Sequence, residues 1–330
     1  SGLARNLGFI RIIIFFLAIN YFFRDKKFSN KVFLSWLVIF IIMILDVFLE
    51  SFTGKNILGY GGEIHGRRIV SFFRDEPIVG GFLNAFYLIL VGYLFDKFKN
   101  EKGKLVFLFS AVFFTAIFLT GERSNTIRAL IASFLFYSFF KEYGLKQKLI
   151  ILVTSVIIII TFILNSQYLK LRYFEQIQAT IQKDHQYFKL YKSGYEVFKN
   201  NKIFGVGSKN YRIETCGKAE EQNDSSKNYI CTTHPHQIYL EFLSEHGLFG
   251  TIFIIFIFFK LILSKAYSQF KELNYIQIGS LIYLFITFLP LLPSGSFFSD
   301  YLITLFGLNL AIFYATNSKL NIFDNTDKKV

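Results

Sequence analysis

The chain has 330 residues, of which 53% are hydrophobic and 44 are phenylalanine, and its formal net charge is +13. The apolar residues form long runs with few charges, a pattern that excludes an ordinary soluble domain and indicates a membrane protein. The basic residues are clustered between these runs and follow no nucleic-acid-binding signature, so we expect membrane lipids and no nucleic acid as partners.

The apolar runs predict an all-α, polytopic membrane protein with about nine transmembrane helices, in a single multi-pass domain over 1–330. The predicted spans are 8–23, 32–52, 78–95, 105–120, 126–140, 148–165, 246–264, 277–292 and 298–315. Several are shorter than the roughly 20 residues that a straight span needs. A short run such as 126–140 is therefore also compatible with a half-span or a buried helix.

Lysine-rich connections alternate with other connections, and this alternation predicts the orientation. Lysine clusters follow the first, third, fifth, seventh and ninth runs, and the positive-inside rule places them in the cytoplasm. The connections expected to face outward are 53–77, 121–125, 166–245 and 293–297. The loop 166–245 also carries lysines, but long loops are translocated largely regardless of charge.

The long loop 166–245 contains three local patterns. Apolar residues from Tyr187 to Phe198 recur at near-helical spacing, which predicts an amphipathic helix, either on the membrane surface or on the loop's own small core. Glycines in 203–212 predict a turn. Cys216 and Cys231 flank a polar stretch, and in an oxidising compartment we expect them to form a disulfide; the alternative is two unpaired thiols.

The outward connections carry the residues with the clearest chemistry. Arginine suits phosphate because its planar fork meets two oxygens at once, and histidine is a natural proton acceptor near neutral pH. The candidates at this face are Arg67, Arg68, Arg123, Arg128, His234, His236 and Glu245. Taken singly, each has a simpler explanation, such as lipid headgroup contact, a helix end or a turn. Two close histidines without a placed carboxylate are no metal signature, so we expect no metal.

Residues 233–250 place ionisable side chains directly before an apolar run, where such groups are costly and indicate function. If this segment is one ideal helix, His236, Gly247 and Gly250 share a face, and Glu245 lies about half a turn away. His236 and Glu245 cannot then act on the same atom. The simpler alternative is a capped helix that enters the membrane with incidental polar residues.

In this order, these residues resemble the O-antigen ligase and polymerase family of bacterial envelope glycosyltransferases, over roughly 60–321. The family's late signature, a His followed by Glu-x-Gly-x-x-Gly, is matched by His236, Glu245, Gly247 and Gly250, whose glycines are expected to be structural. His234–Pro235 and the turn 204–212 also resemble parts of the family. The turn 121–125 is similar to the family's Gly-x-Arg-Ser turn and places its essential arginine on Arg123. Segment 67–83 resembles an earlier arginine-bearing loop and places that arginine on Arg68.

The resemblance implies a transferase of the bacterial inner membrane that acts at the periplasmic face without nucleotide sugar, metal or other cofactor. Its donor is a glycan linked to undecaprenyl pyrophosphate. A ligase transfers this glycan to lipid A–core, and a polymerase transfers it to a second lipid-linked glycan. In the implied reaction, His236 accepts the proton of the attacking sugar hydroxyl, and Arg68 and Arg123 stabilise charge on the leaving pyrophosphate. Direct displacement inverts the anomeric centre.

Two departures from the family are evident. Gln237 replaces the usual asparagine but keeps the amide. Only two predicted spans precede the first arginine-bearing connection, so we expect amino-terminal spans to be missing from this chain.

Two other classes of protein fit the same residues. One is a transporter or flippase for an anionic lipid-linked substrate; the other is a scaffold of an export complex. Transporters usually place ionisable groups near the membrane midplane on broken helices and often contain internal repeats. Neither feature is evident in the sequence, which therefore favours the transferase.

Overall fold

The structure is a computed structural model that describes residues 8–61, 68–74, 76–98, 103–139, 163–178, 186–221 and 228–324, together with the isolated positions 146, 153, 157 and 159–161. The described chain is all-α and contains twelve α-helices. They are α1 (Ile10–Phe22), α2 (Lys26–Thr53), α3 (Val79–Phe98), α4 (Gly103–Leu119), α5 (Arg123–Ser138), α6 (Gln167–Lys170), α7 (Gln186–Asn200), α8 (Tyr211–Glu220), α9 (Ile238–Phe258), α10 (Ser264–Ser268), α11 (Tyr275–Thr287) and α12 (Asp300–Ala315).

Three helical runs are long and apolar enough to cross a membrane. They are α2 with 28 residues, α3 with 20, and the run Ile238–Ser268 with 31. The helices α1, α4, α11 and α12 are apolar but shorter, and each coincides with a predicted span. The prediction of an all-α protein with several membrane helices is confirmed. The count of nine spans stays a prediction, and the run 148–165 lies mostly outside the described residues.

The internal contacts divide the chain into two compact units. Unit 1 comprises 1–13, 178–270 and 288–304, and unit 2 comprises 14–177, 271–287 and 305–330.

Close backbone packing of α3 on α11 organises unit 2. A Cβ atom added to Gly92 would lie 2.4 Å from the Tyr275 carbonyl oxygen, and one added to Gly279 would lie 2.3 Å from that of Leu88. Only small residues permit two helices to approach so closely. The Asp96 carboxylate at the end of α3 also accepts the first two amide protons of α11, each at 3.2 Å. These contacts fix α3, whose first turn reaches the candidate site.

Helix α7 of unit 1 coincides with the predicted amphipathic helix. Val197 on its buried face packs with Tyr211 and Tyr229 in a small core, and the Tyr211 hydroxyl donates to Ser193 Oγ at 3.0 Å. The helix therefore packs on the long loop's own core, which was the predicted alternative to a position on the membrane surface. Helix α8 directly after the turn was not predicted; its sequence lacks a clear apolar periodicity, and Tyr211 at its start is buried by this tertiary core.

Cys216 and Cys231 form a disulfide across 15 residues of sequence. The bridge joins α8 to the segment that leads to the histidines, and in the chain-entropy model a loop of this length contributes about 3 kcal/mol of stability. These are the two cysteines of the chain. We therefore expect titration of the denatured, unreduced protein with a thiol reagent to find no free thiol, and reduction to release two. Two reactive thiols before reduction would contradict the bridge.

Candidate functional site

The candidate residues fall into two groups, one in each unit. The arginine group, in unit 2, consists of Arg68, Arg123 and Arg172 with Glu122. The histidine group, in unit 1, consists of His234 and His236 with Lys209, Glu241 and Glu245. Arg67 lies outside the described residues.

A tight turn between α4 and α5 carries Arg123. Gly121 in this turn has φ +72°, and a Cβ atom there would lie 2.4 Å from the Tyr168 hydroxyl and 3.1 Å from Arg172 Nε. Both the backbone conformation and the lack of space therefore require glycine. Arg123 is the first residue of α5 and is half-exposed.

The segment that begins at Arg68 is fastened to the end of α2. The Glu50 carboxylate accepts the amide protons of Val70 at 3.0 Å and Ser71 at 2.7 Å, and Asp46 accepts the Ser71 hydroxyl at 2.5 Å. The Ile69 amide donates to the Thr120 carbonyl at 3.3 Å, which joins this segment to the Arg123 turn. Arg68 Nε is buried without a hydrogen-bond partner among the described residues. An unpaired buried donor is costly, so its position favours an acceptor on a bound ligand.

Glu122, which precedes Arg123 in the turn between α4 and α5, links three parts of the arginine group. Its carboxylate accepts the Gly80 amide at 2.5 Å and the Asn125 side-chain amide at 2.6 Å. Burial raises the pKa of Glu122 to about 7, although these hydrogen bonds and the charge of Arg68 oppose the shift. The carboxylate therefore joins the start of α3 to the Arg123 turn and lies close enough to Arg68 for their charges to interact.

Arg128 is positioned differently from the other arginines. It is buried within α5, and its charge interacts electrostatically with Tyr283 of α11. Both residues belong to unit 2, and the guanidinium lies among helices rather than at the half-exposed turn that carries Arg123.

His234 and His236 lie before α9 and not on it. Helix α9 begins at Ile238, and Gln237 is its N-cap, whose side chain accepts the Leu240 amide at 2.7 Å. His236 has φ +57°, a left-handed conformation that is unusual outside glycine and is concentrated at functional sites. The expectation of one continuous helix over 233–250 is therefore wrong, and the helical face predicted to join His236 to the glycines does not exist.

The two histidine rings lie side by side, with centroids 4.0 Å apart. The Ser294 amide donates to the His236 carbonyl at 2.9 Å, which holds the strained residue in place, and Thr233 Oγ1 lies 2.9 Å from His234 Nδ1. Burial lowers the pKa of His236. Burial and the neighbouring His236 lower the pKa of His234 to about 4. Both rings are therefore neutral near pH 7 and can accept a proton.

Helix α9 is interrupted at Gly247, which has φ 63° and ψ −171°. A Cβ atom there would lie 2.3 Å from the Ile203 carbonyl oxygen. The backbone groups freed by the break pair with residues 202–207: the Gly207 amide donates to the Glu245 carbonyl at 2.8 Å, and the Leu248 amide donates to the Lys202 carbonyl at 2.7 Å. This pairing connects the glycine-rich turn to the Glu-x-Gly motif, because the turn supplies hydrogen bonds to the backbone at the break.

Glu245 faces the turn 203–212. Its side chain is buried, and the backbone amides of Lys209 and Tyr211 point at its carboxylate. Its carboxylate atom Oε2 has no hydrogen-bond partner among the described residues.

The O-antigen ligase family model matches residues 106–255. The matched part contains the Arg123 turn, the turn 203–212 and the histidine segment through Gly250, whereas Arg68 precedes it. The resemblance inferred from the sequence is thus confirmed over residues 106–255, which match the O-antigen ligase family model. The comparisons with curated proteins and with solved structures gave no significant match.

Two further residues of the histidine group were missed by sequence reasoning. Lys209, in the turn of the O-antigen ligase domain, has φ +63°, and its charge acts on His234, Glu241 and Glu245. Glu241 accepts the Ser296 hydroxyl and, at 2.8 Å, the Phe297 amide. Glu241 therefore fixes the predicted outward connection 293–297 beside the histidines. Lys209 falls in the family-like turn, and Glu241 falls among the ionisable residues of 233–250; these were the available signals. In the described ranges, no group of three or more histidines, cysteines and acidic residues is arranged to hold a metal.

Replacing Gly247 with Ala tests the helix break in the O-antigen ligase domain. We expect a loss of about 3 kcal/mol or more, because the conformation is reserved for glycine and the Cβ atom overlaps the Ile203 carbonyl. The matched control is Gly217→Ala in α8, where a Cβ atom meets nothing within 4 Å. Thermal unfolding in detergent measures both variants. Equal stability of the two would contradict the role of Gly247.

Proposed function

We propose that the protein is an inverting membrane glycosyltransferase of the O-antigen ligase or polymerase type. It transfers or polymerises a glycan linked to undecaprenyl pyrophosphate at the periplasmic face of the bacterial inner membrane, for lipopolysaccharide or other polysaccharide biosynthesis. The observation that supports this most is the family match over 106–255, which contains both the Arg123 turn and His236. The acceptor is lipid A–core for a ligase and a second lipid-linked glycan for a polymerase.

In the proposed step, an acceptor hydroxyl oxygen attacks the anomeric carbon of the donor glycan. The bond from that carbon to the pyrophosphate oxygen breaks, the hydroxyl proton passes to neutral His236, and undecaprenyl pyrophosphate leaves. Arg68 and Arg123 bind the pyrophosphate and stabilise its developing charge. These roles require no metal and no nucleotide sugar.

The remaining candidates receive substrate-binding roles in this proposal. Arg67 and Arg128 are candidate residues for binding the donor. His234 adjoins the proposed base, and Glu245 fixes the turn that carries Lys209.

The proposed topology has nine spans with the segment 166–245 outside. Cys216 and Cys231 provide a direct test, since they are the cysteines of the chain. After reduction, a membrane-impermeant thiol reagent is expected to label both in spheroplasts. Protection of both under these conditions would contradict the orientation.

A transporter or flippase remains the second candidate, because helix α9 is broken at Gly247 and broken helices are typical of transporters. In transporters, however, the ends of the broken helix point at substrate or ions. Here the backbone groups at the break are hydrogen-bonded to residues 202–207. This difference favours the transferase.

Transfer by purified protein tests the proposed function directly. The protein is placed in lipid vesicles with a lipid-linked glycan donor and, in separate reactions, with lipid A–core or with excess donor as acceptor. A new glycan product that is absent with a His236→Asn variant is the expected result. Movement of labelled donor across the bilayer without any product would instead support a flippase.

A further inference from the structure

We propose that Arg172 is a positioning residue for the Arg123 turn, so that the helical segment 167–176 is part of the donor-binding structure and not merely the start of an external loop. This inference rests on the proposed function, in which Arg123 contacts the donor pyrophosphate. No sequence motif marks Arg172, which lies 51 residues from the turn that it contacts.

The side chains of this segment donate to backbone carbonyls at the end of α4. Arg172 donates to the Gly121 carbonyl through Nη2 at 2.8 Å and Nε at 3.3 Å. The Tyr173 hydroxyl donates to the Phe118 carbonyl at 2.9 Å, and the Tyr168 hydroxyl donates to that of Thr120 at 3.3 Å. The last carbonyls of a helix lack partners within the helix. These three side chains therefore bind a row of acceptors just before Arg123.

The same segment also contacts the other side of Arg123. The Tyr173 hydroxyl lies 2.8 Å from Thr126 Oγ1 in the first turn of α5. Arg172 is only 4% exposed, and it also donates to the Gln176 side chain through Nη1. One segment thus binds the backbone before Arg123 and a side chain after it, so the turn that carries Arg123 is contacted on both sides.

A π-helical turn over Leu171–Glu175 makes this arrangement possible. In a regular α-helix, the residue four positions after Tyr168 lies on its face, whereas the residue five positions after it is rotated away. Hydrogen bonding to the fifth residue widens the turn, so that Arg172 and Tyr173 both reach the carbonyls. Single π turns of this kind are frequent at functional sites.

The charge of Arg172 also adds to the arginine group. Burial, then the positive charges of Arg68 and Arg123, lower the pKa of Arg172. Three guanidinium groups outnumber the single Glu122 carboxylate of this group, and their mutual repulsion in a partly buried site is unfavourable. Their arrangement fits a ligand that carries several negative charges, as a pyrophosphate does.

The test uses the whole protein and two variants of Arg172. Arg172→Lys keeps the charge but loses the fork that makes two bonds to Gly121, and Arg172→Gln removes both. The matched control is Lys170→Gln, which removes an exposed charge from the same segment. The two readouts are hydrogen exchange of the amides at 121–125 and the KM values for donor and acceptor.

We expect both Arg172 variants to speed exchange at 121–125 and to raise the donor KM about tenfold or more, as loss of a charged hydrogen bond predicts. The acceptor KM and the Lys170→Gln control are expected to stay unchanged. In an Arg123→Ala background, Arg172→Lys is expected to have no further effect on donor KM, because positioning acts through Arg123. A full additional effect there, or unchanged exchange in Arg172→Lys, would overturn the inference.

Two outcomes keep the inference separate from the proposed function. If the wild-type protein transfers no glycan, the exchange measurement still decides whether Arg172 fixes the turn, and only the proposed function fails. If Arg172→Lys does not insert into the membrane, Tyr168→Phe removes one of the three side-chain contacts and is measured in its place. Wild-type exchange in that variant would likewise count against the inference.

Discussion

Loss of the His236 imidazole is expected to reduce glycan transfer by about 10²–10⁴-fold, the usual effect of removing a general base. His236 has φ +57°, which alanine adopts poorly. Asparagine tolerates this conformation better, so His236→Asn removes the base with less disturbance of the backbone. Donor binding and membrane insertion are expected to persist in this variant.

The pH dependence of transfer provides a second measurement on His236. Burial lowers its pKa below the usual value of about 6.5, so the neutral form persists as the pH falls through that value. The acid limb of the transfer rate is therefore expected below the range of an ordinary histidine. The same shift means that His236 stabilises the fold fully above about pH 6.5 and loses this contribution as pH falls through its folded pKa.

Two neighbouring histidines serve as controls for His236. His234→Ala and His246→Ala are expected to retain measurable transfer, since neither matches the family's histidine. The His246 ring packs 5.1 Å from that of Phe298, an apolar contact. A near wild-type rate in His236→Asn would show that the general-base role is wrong. Loss of all donor binding would make His236 a binding residue instead.

Replacing Arg68 or Arg123 with Lys is expected to lower transfer about 10²-fold, although the positive charge is retained. A lysine cannot present two parallel donors to a pyrophosphate, and removing one such donor from a charge-stabilising site typically costs this much. The unpaired Nε of Arg68 is consistent with this role. Steady-state transfer with a lipid-linked donor measures the effect.

Arg24→Lys is the matched control for these variants. Arg24 belongs to the same unit and pairs with Asp324 at 3.0 Å near the surface, where ion pairs contribute little. It is expected to transfer at the wild-type rate. Full activity of both Arg68→Lys and Arg123→Lys would contradict the phosphate-binding role.

Several features followed from local sequence. Long apolar runs have no alternative but to form helices when they lie in a membrane, because backbone groups there must be paired within the segment. Helices α2 and α3 accordingly coincide with predicted spans, and the amphipathic pattern of 187–198 likewise predicted α7. The family resemblance also followed from the sequence, because it depends on the identities of individual arginines, histidines and glycines.

The sequence alone could not predict that His236 lies outside α9 or that Gly247 interrupts this helix. Helical periodicity assumes a continuous helix, and here Gln237 caps α9 just after the histidine and Gly247 interrupts it. The interruption depends on residues 202–207, which supply the missing hydrogen bonds from more than 35 positions earlier in the chain. No local pattern around Gly247 contains that information.

The sequence by itself determined that this is an all-α membrane protein with a family-like set of arginines and histidines. Only the tertiary structure decided how those residues are held. Arg172 became part of the arginine group because its guanidinium meets the Gly121 carbonyl, and Arg128 became buried because α5 packs in unit 2. The physical reason is that a backbone carbonyl or amide is present at almost every position. Which of them a distant side chain pairs with is set by packing and not by residue type.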